Sequence, residues 1–408
     1  MIQHLDWWLF ALMLPVVYWR LANRFRPLLL IVASLAVLAR LAPLDLMMML
    51  GVGLFVYGSF ALSAMPAVAA AGDRRGSIVV GLSSLGRSPL PIVVVILYLF
   101  WYKYIPGIVR PIDSDAYLAN LIVPIGISYF SFKLIHYAIE RRRNMLPPHN
   151  IQDFLSWLFL MPTFTSGPIE RFEHFLDNRE EHFRTEFVVE GGTRIAQGLV
   201  KKFVLVDALS RLSHILSGGD VVAFAHGAGD RTEVWAVWAY LGLDLLISYL
   251  DFSAYTDIAI GASRLFGFKI MENFNYPLLA SNLVEFWRRW HMTLTAWCRA
   301  YVYMPMIGLT RNPYLAVIAT FVVVGLWHAG SVNWLVWGLW HGVGQAVVLS
   351  WARFAQKRRI TFFKSQTGKL IGWGMTMAYV MLGGALESFD HQGNFLDAMR
   401  LMGRAFGL

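Results

Sequence analysis

Cysteine is almost missing from this sequence. Cys298 stands alone among 408 residues, so neither an internal disulfide nor a thiolate metal cluster can form. Charge is scarce too, at 15% of residues against roughly 25% in a soluble domain, so water is not the main solvent. Several chemical signatures are absent. No G-x-S-x-G turn presents a serine nucleophile, no glycine-rich loop could cradle a phosphate, and no H-E-x-x-H pair could hold zinc. The chain carries no fixed-period repeat and no low-complexity linker.

Apolar sequence fills the space. Hydrophobic residues make up 57% of the chain and its mean hydropathy is +0.51. Apolar runs near spanning length lie at 5–19, 28–42, 45–71, 89–108, 116–139, 151–168, 193–217, 233–263, 313–333, 334–354 and 368–387. A further apolar stretch around 284–306 reads as buried or re-entrant. The expected fold is an all-α polytopic membrane protein with about eleven transmembrane helices plus re-entrant or interfacial ones. It forms a single domain over 1–408. Pro124 with Gly126 and Pro162 with Gly167 break two spans, and such backbone is tolerated in a membrane only where protein or a cavity shields it. The opening residues Met1 to Leu9 lack a basic leader and read as the start of a retained first span.

Lys and Arg exceed Asp and Glu by nine, yet these cations sit in short loops and form no groove-like block, which argues against nucleic acid as a partner. They report topology. Arg20, Arg24 and Arg26, then Arg74, Arg75 and Arg87, then Arg141, Arg142 and Arg143 follow alternate spans, which puts those loops in the cytoplasm and the N-terminus outside. The charged stretch between Glu170 and Gly192 reads as an interfacial helix or a loop packed on the membrane domain.

Polar residues inside apolar sequence are costly and so are functional candidates. One cluster holds Asp251, Ser253, Tyr255 and Asp257, followed by Asn273 and Asn275 in a Pro-terminated turn. A second runs from Glu285 to Thr295 and packs Arg288, Arg289 and His291 between tryptophans. Helical spacing offers Glu285 an ion pair with Arg288 or Arg289, and Trp with Arg suits a membrane interface, which explains the arginines better than His291. The third cluster, residues 325–342, sets His328 and His341 in apolar helical sequence. A desolvated imidazole there stays neutral and can take a proton from an alcohol. A structural histidine bonded to a carbonyl fits the same residues. Zinc held by the three histidines is a further reading, but the spacing of His328 and His341 and the distance of carboxylates along the chain disfavour it, and no metal site is assigned.

The strings GISYFSF at 126–132, SGPIERF at 166–172, GLVKKF at 198–203, DFSAYTDIAIG at 251–261, ENFNYP at 272–277, EFWRRWHMTLT at 285–295 and GLWH at 325–328, in this order, resemble the membrane-bound O-acyltransferase family. The resemblance is to its bacterial branch of alginate O-acetylases and teichoic-acid D-alanyl transfer subunits. It implies an O-acyltransferase with a central tunnel, with His328 as catalytic base and His291 as an orienting or oxyanion-stabilising partner. Arg288, Asn275, Trp327 and Asn333 are its implied substrate-binding positions, and His341 is assigned a structural role. No bound cofactor is implied. The donor would be acetyl-CoA or an acyl or D-alanyl carrier protein on the cytoplasmic side, and the acceptor a hydroxyl of an envelope polysaccharide or teichoic-type polymer. The implied setting is the bacterial inner membrane, crossed many times, with membrane lipid and an extracytoplasmic acyltransferase as further partners. Two positions depart from the pattern, Ala300 after Arg299 and Ala329 after His328. A transporter or flippase for an envelope precursor would use broken helices and buried polar groups as well, though no paired half-sequence symmetry is visible. A scaffold gathering envelope enzymes is the third reading.

Overall fold

The computed structural model describes residues 4–63, 86, 88–109, 112, 117–227 and 233–408. Among these residues the chain is helical, and its nearest approach to a strand is an isolated bridge between Arg179 and Phe268. Helix suits an apolar sequence in lipid because it satisfies backbone hydrogen bonds within the segment. Three helices are long and apolar enough to cross a membrane, lying within Pro43–Ser63, Leu90–Val109 and Val234–Leu265, and Pro313–His328 is a shorter apolar helix. Only 17% of the apolar window of Leu90–Val109 is buried by protein; Ile96, Leu97, Phe100 and Trp101 face outward, a surface that lipid would cover. Eleven spans were expected and three helices meet the length and apolarity required, among the described residues. Other expected spans coincide with helices that fall short of that length or apolarity, such as Arg26–Leu41 and Val332–Lys357. The end of the 45–71 run and Arg74, Arg75 and Arg87 lie outside the described residues.

The chain forms two compact units. The first comprises 1–196 with 257–271, and the second comprises 197–256 with 272–408. In the first unit, Thr185–Val200 crosses the end of Val234–Leu265 at Gly191 and Gly261, where a Cβ on Gly261 would lie 2.6 Å from the Gly191 carbonyl oxygen. The same unit ties Arg194 to Asp257 at 2.8 Å. The second unit pairs Lys202 with Asp251, and Lys201 Nζ donates to Ser253 Oγ at 3.3 Å. These bonds absorb much of the first polar cluster into the scaffold.

The second unit is organised around a helical hairpin, Pro313–His328 and Val332–Lys357. Asn312 caps the first helix by accepting from the amides of Tyr314 and Leu315, and Ser331 caps the second by accepting from Trp334. The two backbones approach closely at glycines: a Cβ on Gly338 would sit 2.5 Å from the Phe321 carbonyl oxygen, and one on Gly342 would sit 2.8 Å from Ile318 Cα. Small residues at such seams let helices pack without a hydrophobic driving force in lipid. The seam fixes where His328 and His341 stand.

Candidate functional site

The site begins with a turn. Residues 272–275 are zipped to 289–293: the Asn275 amide donates to the Arg289 carbonyl at 2.9 Å, and the Met292 amide donates to the Asn273 carbonyl at 2.8 Å. His291 sits in this zipper at a φ of 42°, left-handed backbone that a side chain with a Cβ rarely adopts. Such strain persists only where the surroundings hold it, and here they hold the ring as well. The fully buried Asn273 Oδ1 accepts from Thr293 Oγ1 at 2.9 Å, from the Thr293 amide at 3.4 Å, and faces His291 Nδ1 at 2.9 Å. A backbone amide can only donate, so this Asn273 atom is the carbonyl oxygen and His291 Nδ1 carries the proton. His291 Nε2 is then a bare lone pair. It is buried and meets no hydrogen-bond partner.

That ring lines a cavity of about 110 Å³ in the second unit, together with His328 and His341. The walls are aromatic, with Phe252, Phe286, Trp287, Trp290, Trp334 and Trp337. His341 is buried, and its Nδ1 accepts from Trp287 Nε1 at 3.3 Å. His328 differs from the expectation of a desolvated ring. It is exposed, because the Pro313–His328 helix ends at this residue. Its ring lies flat on Trp334, with centroids 4.1 Å apart and planes 9° off parallel. Trp334 is itself anchored through Nε1 to Asp390 Oδ2 at 3.0 Å, so the platform under His328 is rigid. The arrangement sets one histidine at an accessible position and two in the dry lining of the same space.

The other expected binding residues fall elsewhere. Arg288 is exposed on a second cavity of about 280 Å³, lined also by Arg299, Tyr303 and Gln345. Glu285 pairs with Arg289 at 2.6 Å, the residue one full turn on, and not with Arg288. Asn275 is exposed and held through its backbone; the asparagine that touches His291 is Asn273. Asn333 is buried with its Nδ2 donating to the Leu386 carbonyl at 3.1 Å, which ties two helices together outside the cavity lining. Trp327 is not among the cavity-lining residues but its ring centroid lies 4.4 Å from that of His328. Where a central tunnel was expected, the second unit holds two cavities that share Trp287, Leu294 and Val324 as lining. Asp244 and Glu387 also line the histidine cavity and were missed. Each is an acid within a largely apolar helix, a signal visible in the sequence but without a lysine or arginine one turn away. No cluster of three or more potential ligands able to hold a metal occurs among the described residues.

Such a space can take a proton from a hydroxyl and exclude water from an acyl carbonyl. Comparison with known proteins bears on the same residues. The family model for membrane-bound O-acyltransferases matches residues 90–386. A probable alginate O-acetylase AlgI of Pseudomonas aeruginosa is 32% identical over 355 residues, 82% of this chain and 64% of that protein. A teichoic acid D-alanyltransferase of Streptococcus thermophilus is 32% identical over 61% of this chain and 62% of its own length. A peptidoglycan O-acetyltransferase of Helicobacter pylori is 26% identical over 64% of this chain and 53% of its own. The chain spans less than two thirds of the length of the curated relatives it matches. With the match covering most of the residues, the three histidines of the cavity included, the chain belongs to the membrane-bound O-acyltransferase family.

Proposed function

We propose that this protein is a multi-pass enzyme of the bacterial inner membrane that moves a small acyl group from a thioester to a hydroxyl of an envelope or exported polymer. The observation that carries the reading is the cavity that gathers His291, His328 and His341, with His291 Nε2 buried and unpartnered in its lining. An unmet buried acceptor is costly in a structural role and useful in a reactive one.

His328, accessible and held flat on Trp334, serves as base. Its neutral imidazole takes the acceptor's hydroxyl proton while the oxygen attacks the thioester carbonyl. The carbon–sulfur bond then breaks, and the thiolate leaves with the proton returned by His328. His291 orients a group that donates to its Nε2. Its tautomer leaves no proton on that atom, so oxyanion stabilisation passes to another donor. Trp337 suits the task, since its buried indole lines the cavity and its N–H meets no acceptor among the described residues. A donor aimed at developing charge in a dry site contributes about 3–4 kcal/mol.

The donor is acetyl-CoA or an acyl or D-alanyl carrier protein, arriving from the cytoplasm, and an extracytoplasmic partner completes delivery. The names of the relatives, acetyl and D-alanyl transferases alike, support an acyl group of this size. A purified His328→Ala protein that remains folded and inserted is expected to lose transfer from thioester to acceptor; full activity in that variant would sink the mechanism. Mass spectrometry of envelope polymers from cells with and without the protein identifies the acyl group and acceptor together. A transporter would instead keep moving its substrate with no thioester present.

A further inference from the structure

Three groups in the lining of the histidine cavity accept hydrogen bonds. His291 Nε2 offers a lone pair, and Asp244 and Glu387 contribute carboxylates. The lining contains no lysine or arginine. Asp244 accepts from Ser388 Oγ at 2.8 Å, while the Glu387 carboxylate makes no hydrogen bond or ion pair with any described residue. Two carboxylates on one small cavity, Glu387 exposed and Asp244 half-buried, repel when both are ionised. A ligand that supplies a positive charge and several donors removes the conflict.

We infer that Glu387 and Asp244 form a cation-reading subsite of this cavity, which selects a thioester whose transferred group carries an ammonium, an aminoacyl group and not an acetyl group. The inference rests on the acyl-transfer reading for the reaction but not for binding. An ammonium has three donors and no acceptor, which matches the two carboxylates and His291 Nε2. Trp337 adds aromatic lining of the kind a cation packs against. An acetyl group has neither charge nor donor and would leave the buried His291 Nε2 unmet, at a cost. The buried, unpartnered His291 nitrogen is an observation independent of the acids, and it points to the same kind of ligand. The acidic lining also disfavours a uronate or phosphate entering this space, so an anionic polymer would present only its hydroxyl.

The test uses full-length His328→Ala protein in lipid nanodiscs, where turnover is blocked, and follows the tryptophan fluorescence of the cavity. The probes are S-alanyl-pantetheine and its near-isostere S-propionyl-pantetheine, which lacks the ammonium. The alanyl ligand is expected to bind at least about tenfold more tightly, the effect of one charge-assisted hydrogen bond. Glu387→Gln, and Asp244→Asn, which keeps an acceptor for Ser388, are each expected to shrink that ratio towards unity. Equal binding of the two probes, binding of neither, or a ratio untouched by both substitutions overturns the inference. Preferential binding by a protein whose wild type transfers neither group would sink the acyl-transfer reading and leave the subsite standing.

Discussion

Each of the two units buries histidine, carboxylate and other polar groups, and they treat them differently. In the first, Lys133 is 1% exposed, and its ammonium donates to the Trp157 carbonyl at 2.9 Å and to Thr163 Oγ1 at 3.4 Å. Glu170, also buried, accepts from the Met271 amide at 2.9 Å and pairs with His174. His136 Nε2 accepts from the Phe172 amide at 3.1 Å, and Trp157 Nε1 donates to the Glu170 carbonyl at 3.1 Å. These partners are largely backbone atoms of residues 157–172 and the adjoining Met271, so the cluster is a clamp on that irregular segment. In the second unit Asp397 and Asn333 are satisfied in the same way, but the histidine cavity leaves groups open: His291 Nε2 is buried and unmet, and the exposed Glu387 carboxylate pairs with no described residue. Polar residues in an apolar sequence thus divide by whether the protein satisfies them. The satisfied ones hold the backbone, and the unsatisfied ones that line the cavity wait for a ligand.

The sharpest way to break that division is to remove one member from each side. His291→Ala is expected to lower transfer at least about 100-fold, the scale of a misplaced reacting group, and to leave the thermal unfolding midpoint within a degree or two. A large loss of stability with turnover intact would put His291 on the structural side. Asn273→Ala comes next. It frees the His291 tautomer and removes the anchor of a strained turn, so a 10- to 100-fold loss of turnover is expected, the scale seen when an orienting partner is removed. Asn275→Ala, whose side chain makes none of these contacts, is the matched control and should leave steady-state rates within about twofold. Lys133→Ala should do the reverse. Leaving the Trp157 carbonyl and Thr163 hydroxyl unmet costs about 1–3 kcal/mol, read as lowered resistance to unfolding, while the folded fraction keeps its turnover number.

Part of this division was legible in the sequence. His291 and His328 stand out as ionisable groups in Trp-rich apolar runs, and the structure brings both to one cavity. Asn273 was visible beside Asn275, but which asparagine faces inward depends on a left-handed turn at Tyr276 and His291 that no periodicity announces. Asp244 and Glu387 sit 143 residues apart and meet only because two helices present the same face to the cavity, a fact of packing. Helix boundaries are hard to read for a related reason. A hydropathy window joins apolar pieces across breaks such as 158–164, where Ile151–Leu158 stops and a tight turn takes over. The helical class is carried by composition; the length of each helix is set by where Pro, Gly and polar partners interrupt it.

The smallest expected effect tests the satisfied side alone. His174 lies in the charged stretch, and the Glu170 carboxylate bonded to it raises its pKa above the ordinary 6.5. A raised folded-state pKa means that the folded protein binds the proton more tightly than the unfolded chain. The pair's contribution to stability is therefore fully present below the unfolded value and fades as pH rises through the folded one. Unfolding midpoints of the protein in nanodiscs, followed between pH 6 and 9 for wild type and His174→Gln, should show a decline with rising pH that the variant flattens. The His174→Gln protein should also keep the wild-type pH profile of turnover, because the clamp touches no reacting group. A turnover profile that moved with this substitution would mean that the first unit's clamp is coupled to the chemistry, and the separation between satisfied and waiting groups would need to be redrawn around residue 170.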